Sequence, residues 1–215
     1  YLTVPMLRIT EVMYNPPKPP SDDTNDADNF EFVELKNSGP AALNLAGFRL
    51  SGGINYTFTN IVLNAGQYCV VVKSTAAFQS RYGAGVVIAG EYTGNLASNG
   101  DHGVLSGPLG EPIHDFNYGG GWYALADGGG FSLALVDENP ASTNNYSTNT
   151  SWRISAFDQG SPGQVDPSPS LSPMVVVNEA MTQTSPAVGD TIELRNLSAT
   201  NAPIGYWYLT DEFDT

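Results

Sequence analysis

Phe30-Glu31-Phe32-Val33-Glu34-Leu35 alternates apolar and acidic side chains with a period of two, the pattern of a strand with one buried and one wet face. Upstream, across an acidic and Pro-rich connection, Leu7-Arg8-Ile9-Thr10-Glu11-Val12 has the same alternation and also predicts a half-buried strand. Downstream, short apolar runs follow at the roughly 8 to 12 residue spacing of sandwiches and barrels. They are Tyr56-Thr57-Phe58, Tyr68-Cys69-Val70-Val71-Val72, Val86-Val87-Ile88, Val104-Leu105, residues 113–118 and residues 131–136. Asn99-Gly100-Asp101, Leu109-Gly110 and Asp127-Gly128-Gly129-Gly130 separate runs with residues that tolerate positive φ. Only residues 74–82 read as a helix, with Ser74 as N-cap and Gly83 as the stop. The expected fold class is all-β, an antiparallel β-sandwich.

The composition agrees. Only 14% of the 215 residues are charged, against roughly 25% in ordinary soluble domains. Eleven Tyr, nine Phe and three Trp supply a core that disordered chains lack. Eight Lys and Arg face 22 Asp and Glu, a formal charge of −14, which excludes a phosphate-binding surface and hence nucleic acid as a partner. No run approaches the roughly 18 apolar residues of a membrane span. The single cysteine, Cys69, sits in an apolar run and reads as core; the lack of paired cysteines leans toward a bacterial exoprotein.

The pattern stops at Gly160-Ser161-Pro162-Gly163, and residues 164–173 read as a Pro/Ser linker in extended conformation. Strand signals then restart as a copy of the beginning. Glu34-Leu35-Lys36-Asn37 returns as Glu193-Leu194-Arg195-Asn196, and at the same offset Phe48, Leu50 and Ser51 return as Trp207, Leu209 and Thr210. Glu11-Val12-Met13 returns as Glu179-Ala180-Met181. The expected organisation is a sandwich over residues 1–163, the linker, and the first strands of a truncated second domain over 174–215.

These motifs carry a resemblance. Ile9-Thr10-Glu11-Val12-Met13-Tyr14-Asn15-Pro16, Phe32-Val33-Glu34-Leu35-Lys36-Asn37, Leu43-Asn44-Leu45-Ala46-Gly47-Phe48-Arg49-Leu50-Ser51 and Leu63-Asn64-Ala65-Gly66-Gln67-Tyr68 come first. Leu96-Ala97-Ser98-Asn99-Gly100-Asp101, Gly121-Trp122, the 126–137 segment, Trp152 and the Gly-Ser-Pro-Gly close follow in order. Together they resemble the lamin tail domain, the immunoglobulin-like module that ends nuclear lamins and recurs in large secreted bacterial proteins. The bacterial variety fits better, although Tyr123 stands where that pattern often has Pro, and the acidic insertion 21–29 is not general. The resemblance implies an immunoglobulin-like antiparallel sandwich and a non-catalytic role.

One candidate ligand cluster stands out. In Ser21-Asp22-Asp23-Thr24-Asn25-Asp26-Ala27-Asp28-Asn29, the oxygens of Asp22, Asp26 and Asp28 would suit calcium, which takes six to eight oxygen ligands. The loop lacks the Gly and Glu of an EF-hand, and a solvated acidic loop that discourages edge pairing explains the same residues. No other cofactor is expected. His102 and His114 have no second His or Cys at zinc spacing, and His114 and Asp115 point to opposite faces of a strand. Gly103-Val104-Leu105-Ser106-Gly107 has one residue too many for a nucleophile elbow. The resemblance implies a non-catalytic structural or adhesion module of a multi-domain extracellular or cell-surface bacterial protein, to which the composition adds only that it is acidic. Its partner would be a protein or glycan surface, with self-association through the truncated C-terminal strands as a further route. The alternative is a carbohydrate-binding sandwich, calcium-braced, in which surface rings such as Trp122, Tyr123, Tyr92 or Trp207 stack on sugars and target an appended enzyme.

Overall fold

β-branched and aromatic residues in alternation build two sheets. The structure, a computed structural model, describes residues 4–19, 24–138, 145–167, 175–181, 189–197, 201–202, 204–205, 207 and 209. In chain order the strands of the first unit are β1 (Leu7–Met13), β2 (Phe32–Asn37), β3 (Leu43–Asn44), β4 (Arg49–Gly52), β5 (Ile54–Thr57), β6 (Val62–Leu63) and β7 (Tyr68–Val72). After helix α1 (Thr75–Tyr82) come β8 (Ile88–Glu91), β9 (Thr93–Gly94), β10 (Gly100–Ser106), β11 (Pro112–Gly119), β12 (Leu133–Leu135) and β13 (Trp152–Ile154). One sheet runs β13-β12-β1-β2-β7-β8 and the other β11-β10-β4-β5-β9, with β3 and β6 paired separately. The core holds Ile9, Val12, Leu35, Val71, Leu133 and Trp152 from the first sheet, and Leu50, Ile54, Leu105 and Phe116 from the second. This is the expected β-sandwich.

The second face of the six-stranded sheet is also covered. Met13, Phe32, Val70 and Val72 pack there on Phe78 of α1, with Tyr82 alongside, and the rings of Phe32 and Phe78 meet edge-on at 5.7 Å. That explains the unbroken apolar run of β7: Cys69 and Val71 enter the sandwich core, while Val70 and Val72 enter the layer under the helix. The helix forms where expected. Ser74 Oγ accepts from Ala77 N at 3.4 Å, and Gly83 ends it at φ 76°, a left-handed conformation that glycine adopts without strain.

Three local expectations are corrected. β1 is buried along all seven residues rather than half-buried, because segments more than 100 residues away cover its outer face. Phe30 belongs to a 3-10 turn over Ala27–Phe30, and β2 begins at Phe32. The run at 86–88 becomes a strand only from Ile88, and β8 lies parallel to β7 because α1 carries the chain across as a crossover. The sheets are otherwise antiparallel in every described pair.

Backbone packing divides the chain into two units, Tyr1–Pro167 and Ser168–Thr215. Residues 164–167, read from sequence as the start of a linker, are held by Asp166: its carboxylate pairs with Arg153, accepts from Ala156 N at 2.9 Å and accepts from Ser161 Oγ at 2.8 Å. Residues 168–173 of that linker lie outside the described residues. In the second unit β14 (Val175–Met181) pairs antiparallel with β15 (Thr191–Asn196). No helix among the described residues is long and apolar enough to cross a membrane.

Candidate interaction surfaces and buried polar sites

The most concentrated polar chemistry is inside the first unit. A bulge in β1 between Ile9 and Glu11 sets Glu11 directly opposite Glu34 of β2. Both carboxylates point to the outer face and both are buried. Glu11 accepts from the Ser132 hydroxyl and from Ser161 N at 2.9 Å; Glu34 accepts from Thr10 Oγ1 at 2.6 Å and from Gly163 N at 2.6 Å. Burial pushes both carboxyls well above the usual carboxylate range, and for Glu34 the charge of Glu11 adds to it. The Gly-Ser-Pro-Gly segment thus serves as a strap whose amides satisfy an acid pair on the first hairpin. A third acid, Glu31, accepts from Tyr92 Oη at 2.6 Å and Leu96 N at 3.2 Å, and burial raises its pKa to about 7.

These groups are set for structure at neutral pH. His114 is buried against Phe116, Tyr146 and Trp152, and its pKa falls to about 3 through burial, so the imidazole is neutral. The Cys69 thiol, pushed up to about 12 by burial, stays protonated. Asp115, on the opposite face from His114, forms an exposed pair with His102 Nε2 at 2.8 Å. Among the described residues no group of three His, Cys, Asp or Glu is arranged to hold a metal ion.

The sequence-derived candidates are scattered. Asp22 lies outside the described residues; Asp26 and Asp28 are exposed, and their carbonyl oxygens accept from Asn29 N and Glu31 N in the 3-10 turn. Trp122 and Tyr123 are half-buried and rest on the core, with the Tyr123 hydroxyl 2.9 Å from the carbonyl oxygens of both Asn149 and Trp152. Tyr92 is not a surface ring: it is buried, because Glu31 needs its hydroxyl. Trp207 is exposed and belongs to the second unit. Of these four, Tyr92 is thereby removed from any sugar-stacking set.

A site that sequence reasoning missed is a groove of about 460 Å³ between the turn before β7, the chain leading into β8, and the strap. Gln67, Tyr68, Val87, Pro162 and Gln164 line it, with glycines at 66, 85 and 163. No periodicity links those three segments, so no local signal marked it. The lining carries no charged side chain.

A model of one protein family, described as Lamin Tail Domain, matches residues 3–149. No curated protein matches the chain.

Proposed function

The chain belongs to the lamin tail domain family, and from that premise we propose that it is a non-catalytic adhesion or spacer module of a multi-domain secreted or cell-surface bacterial protein. The observation that carries this reading is the fate of its reactive groups. Cys69, His114, Glu11, Glu31 and Glu34 are all buried and spent on packing or on backbone amides, and the outer surface is thinly charged. A rigid sandwich with exposed loops is suited to contacting a protein surface. Beads coated with the chain should adhere to a bacterial surface, and protease treatment of that surface should abolish adhesion while glycosidase treatment should not. Adhesion no greater than that of albumin-coated beads would count against the reading.

The groove favours a second reading, glycan binding. Two glutamine amides, a tyrosine ring and a proline, with no charge, suit a neutral sugar better than an ion. A glycan array separates the readings: a hit lost in Gln164→Ala and kept in Trp122→Ala would assign the sugar to the groove.

A further inference from the structure

Lys73 and Asn95 belong to different sheets and meet at one end of the sandwich. On the core face of the first sheet, Leu35 stands opposite Cys69 and Val33 opposite Val71. Lys73 N then donates to Glu31 O at 3.0 Å, so Glu31 and Lys73 are the next pair on that face, where the apolar core ends. Asn95 directly follows β9, and its N donates at 3.2 Å to Gly53 O, in the connection between β4 and β5. That bond ties it to the second sheet. Between the two sheets, Lys73 Nζ donates to the Gly94 carbonyl oxygen at 2.5 Å and to Asn95 Oδ1. The amine is thus seated on the oxygen bonded to the Asn95 carboxamide carbon. Its surroundings fix the pair. Oε2 of the buried Glu31 accepts from Tyr92 Oη at 2.6 Å and from Leu96 N at 3.2 Å, which anchors the residue after Asn95. The Tyr92 ring lies 5.8 Å from Lys73 Nζ, and the ionisable groups on this side of the amine are Glu31, with Asp28 behind it, and Tyr92.

We propose that Lys73 and Asn95 react with each other to form an intramolecular amide bond that staples the first sheet to the second. In its neutral form the amine attacks Cγ of Asn95. The Nζ–Cγ bond forms, the Cγ–Nδ2 bond breaks, and Nδ2 leaves as ammonia with one of the amine protons. No oxidant or second reactant is needed. The two groups are 22 residues apart in sequence but already in contact, and a held pair of this kind reacts at an effective concentration on the order of 10⁵ M or more. Glu31 is a positioning residue: it holds the Leu96 amide and the Tyr92 hydroxyl, and through them sets Asn95 against Lys73. The product joins β7 to the chain leaving β9, so neither sheet can be peeled from the other without breaking a covalent bond. The bond goes beyond the adhesion reading and does not depend on it.

The test uses the intact 215-residue chain, held at pH 7 and at pH 9 for several days and then digested with two proteases. Mass spectrometry should find a branched peptide joining Lys73 to Asn95, lighter by one ammonia than its two parts, in a yield that grows with time and grows faster at pH 9. The branch is the readout rather than the mass of the whole chain, because ring closure at Asn99-Gly100 releases the same ammonia. Lys73→Arg and Asn95→Ala alter side chains outside the buried core, so both variants should fold and give no branched peptide. Glu31→Gln keeps both acceptors and should keep the bond; its loss there would overturn the positioning role of Glu31. An unbranched chain at both pH values, or a branch from Lys73 to any residue other than Asn95, would overturn the proposal.

Discussion

Glu31 shows how a buried acid makes stability depend on pH in the direction opposite to a salt-bridged one. Its folded pKa, about 7, lies above the ordinary value of 4.5. Below pH 4.5 both folded and unfolded chains hold the proton, so burial carries no ionisation cost. Between 4.5 and 7 the unfolded chain releases it first, and stability falls as pH rises; above 7 the loss is complete. Glu11 and Glu34 act in the same sense. In Glu31→Gln, the amide oxygen still accepts from Tyr92 and Leu96, while the ionisation cost is gone. Urea unfolding at pH 8 should show the variant more stable by about 1 to 3 kcal/mol, with the two proteins nearly equal at pH 4.5. Parallel pH profiles would rule out Glu31 as the source.

At the scale of elements, the β4–β5 connection depends on one backbone position. Gly52 ends β4 at φ 114°, and a Cβ there would run into the His102 carbonyl oxygen of β10. Gly52→Ala should cost about 2 to 4 kcal/mol, because strain at positive φ adds to a steric clash with backbone that cannot move aside. Gly83→Ala is the matched comparison, with positive φ and open space around it, and about 1 kcal/mol is expected. Thermal melts of the two variants separate clash from conformation. The helix was legible in sequence because its signals are local: a Ser74 cap, good helix formers and Gly83. The parallel pairing of β8 was not, since Val86-Val87-Ile88 looks the same in either direction and the crossover alone decides it.

For the whole molecule, the two units should differ in local stability. The first buries its hairpin between a second sheet, a helix and a strap; in the second, Val177, Ile192 and Leu194 of the β14–β15 hairpin are exposed. Amides of β14 and β15 should exchange with solvent at least about a hundredfold faster than those of β1 and β2 at the same pH, because a two-stranded hairpin is marginal in water. Equal protection of both hairpins would mean the second is covered in solution. The likeness of Glu193-Leu194-Arg195-Asn196 to Glu34-Leu35-Lys36-Asn37 is a sequence observation, and the sandwich and the family were legible too, because period-two alternation and turn residues are written along the chain. Sequence alone thus determined the longer strands β1, β2, β7, β10, β11 and β12 in outline, where the helix starts and stops, and that Cys69 is core. Only the tertiary structure decided that Glu11, Glu31 and Glu34 are buried, that Tyr92 turns inward, and that three glycine-rich segments meet in a groove. The reason is physical: alternation specifies one apolar face per strand, but whether the other face meets water depends on segments such as 160–163, folded back from more than 100 residues away.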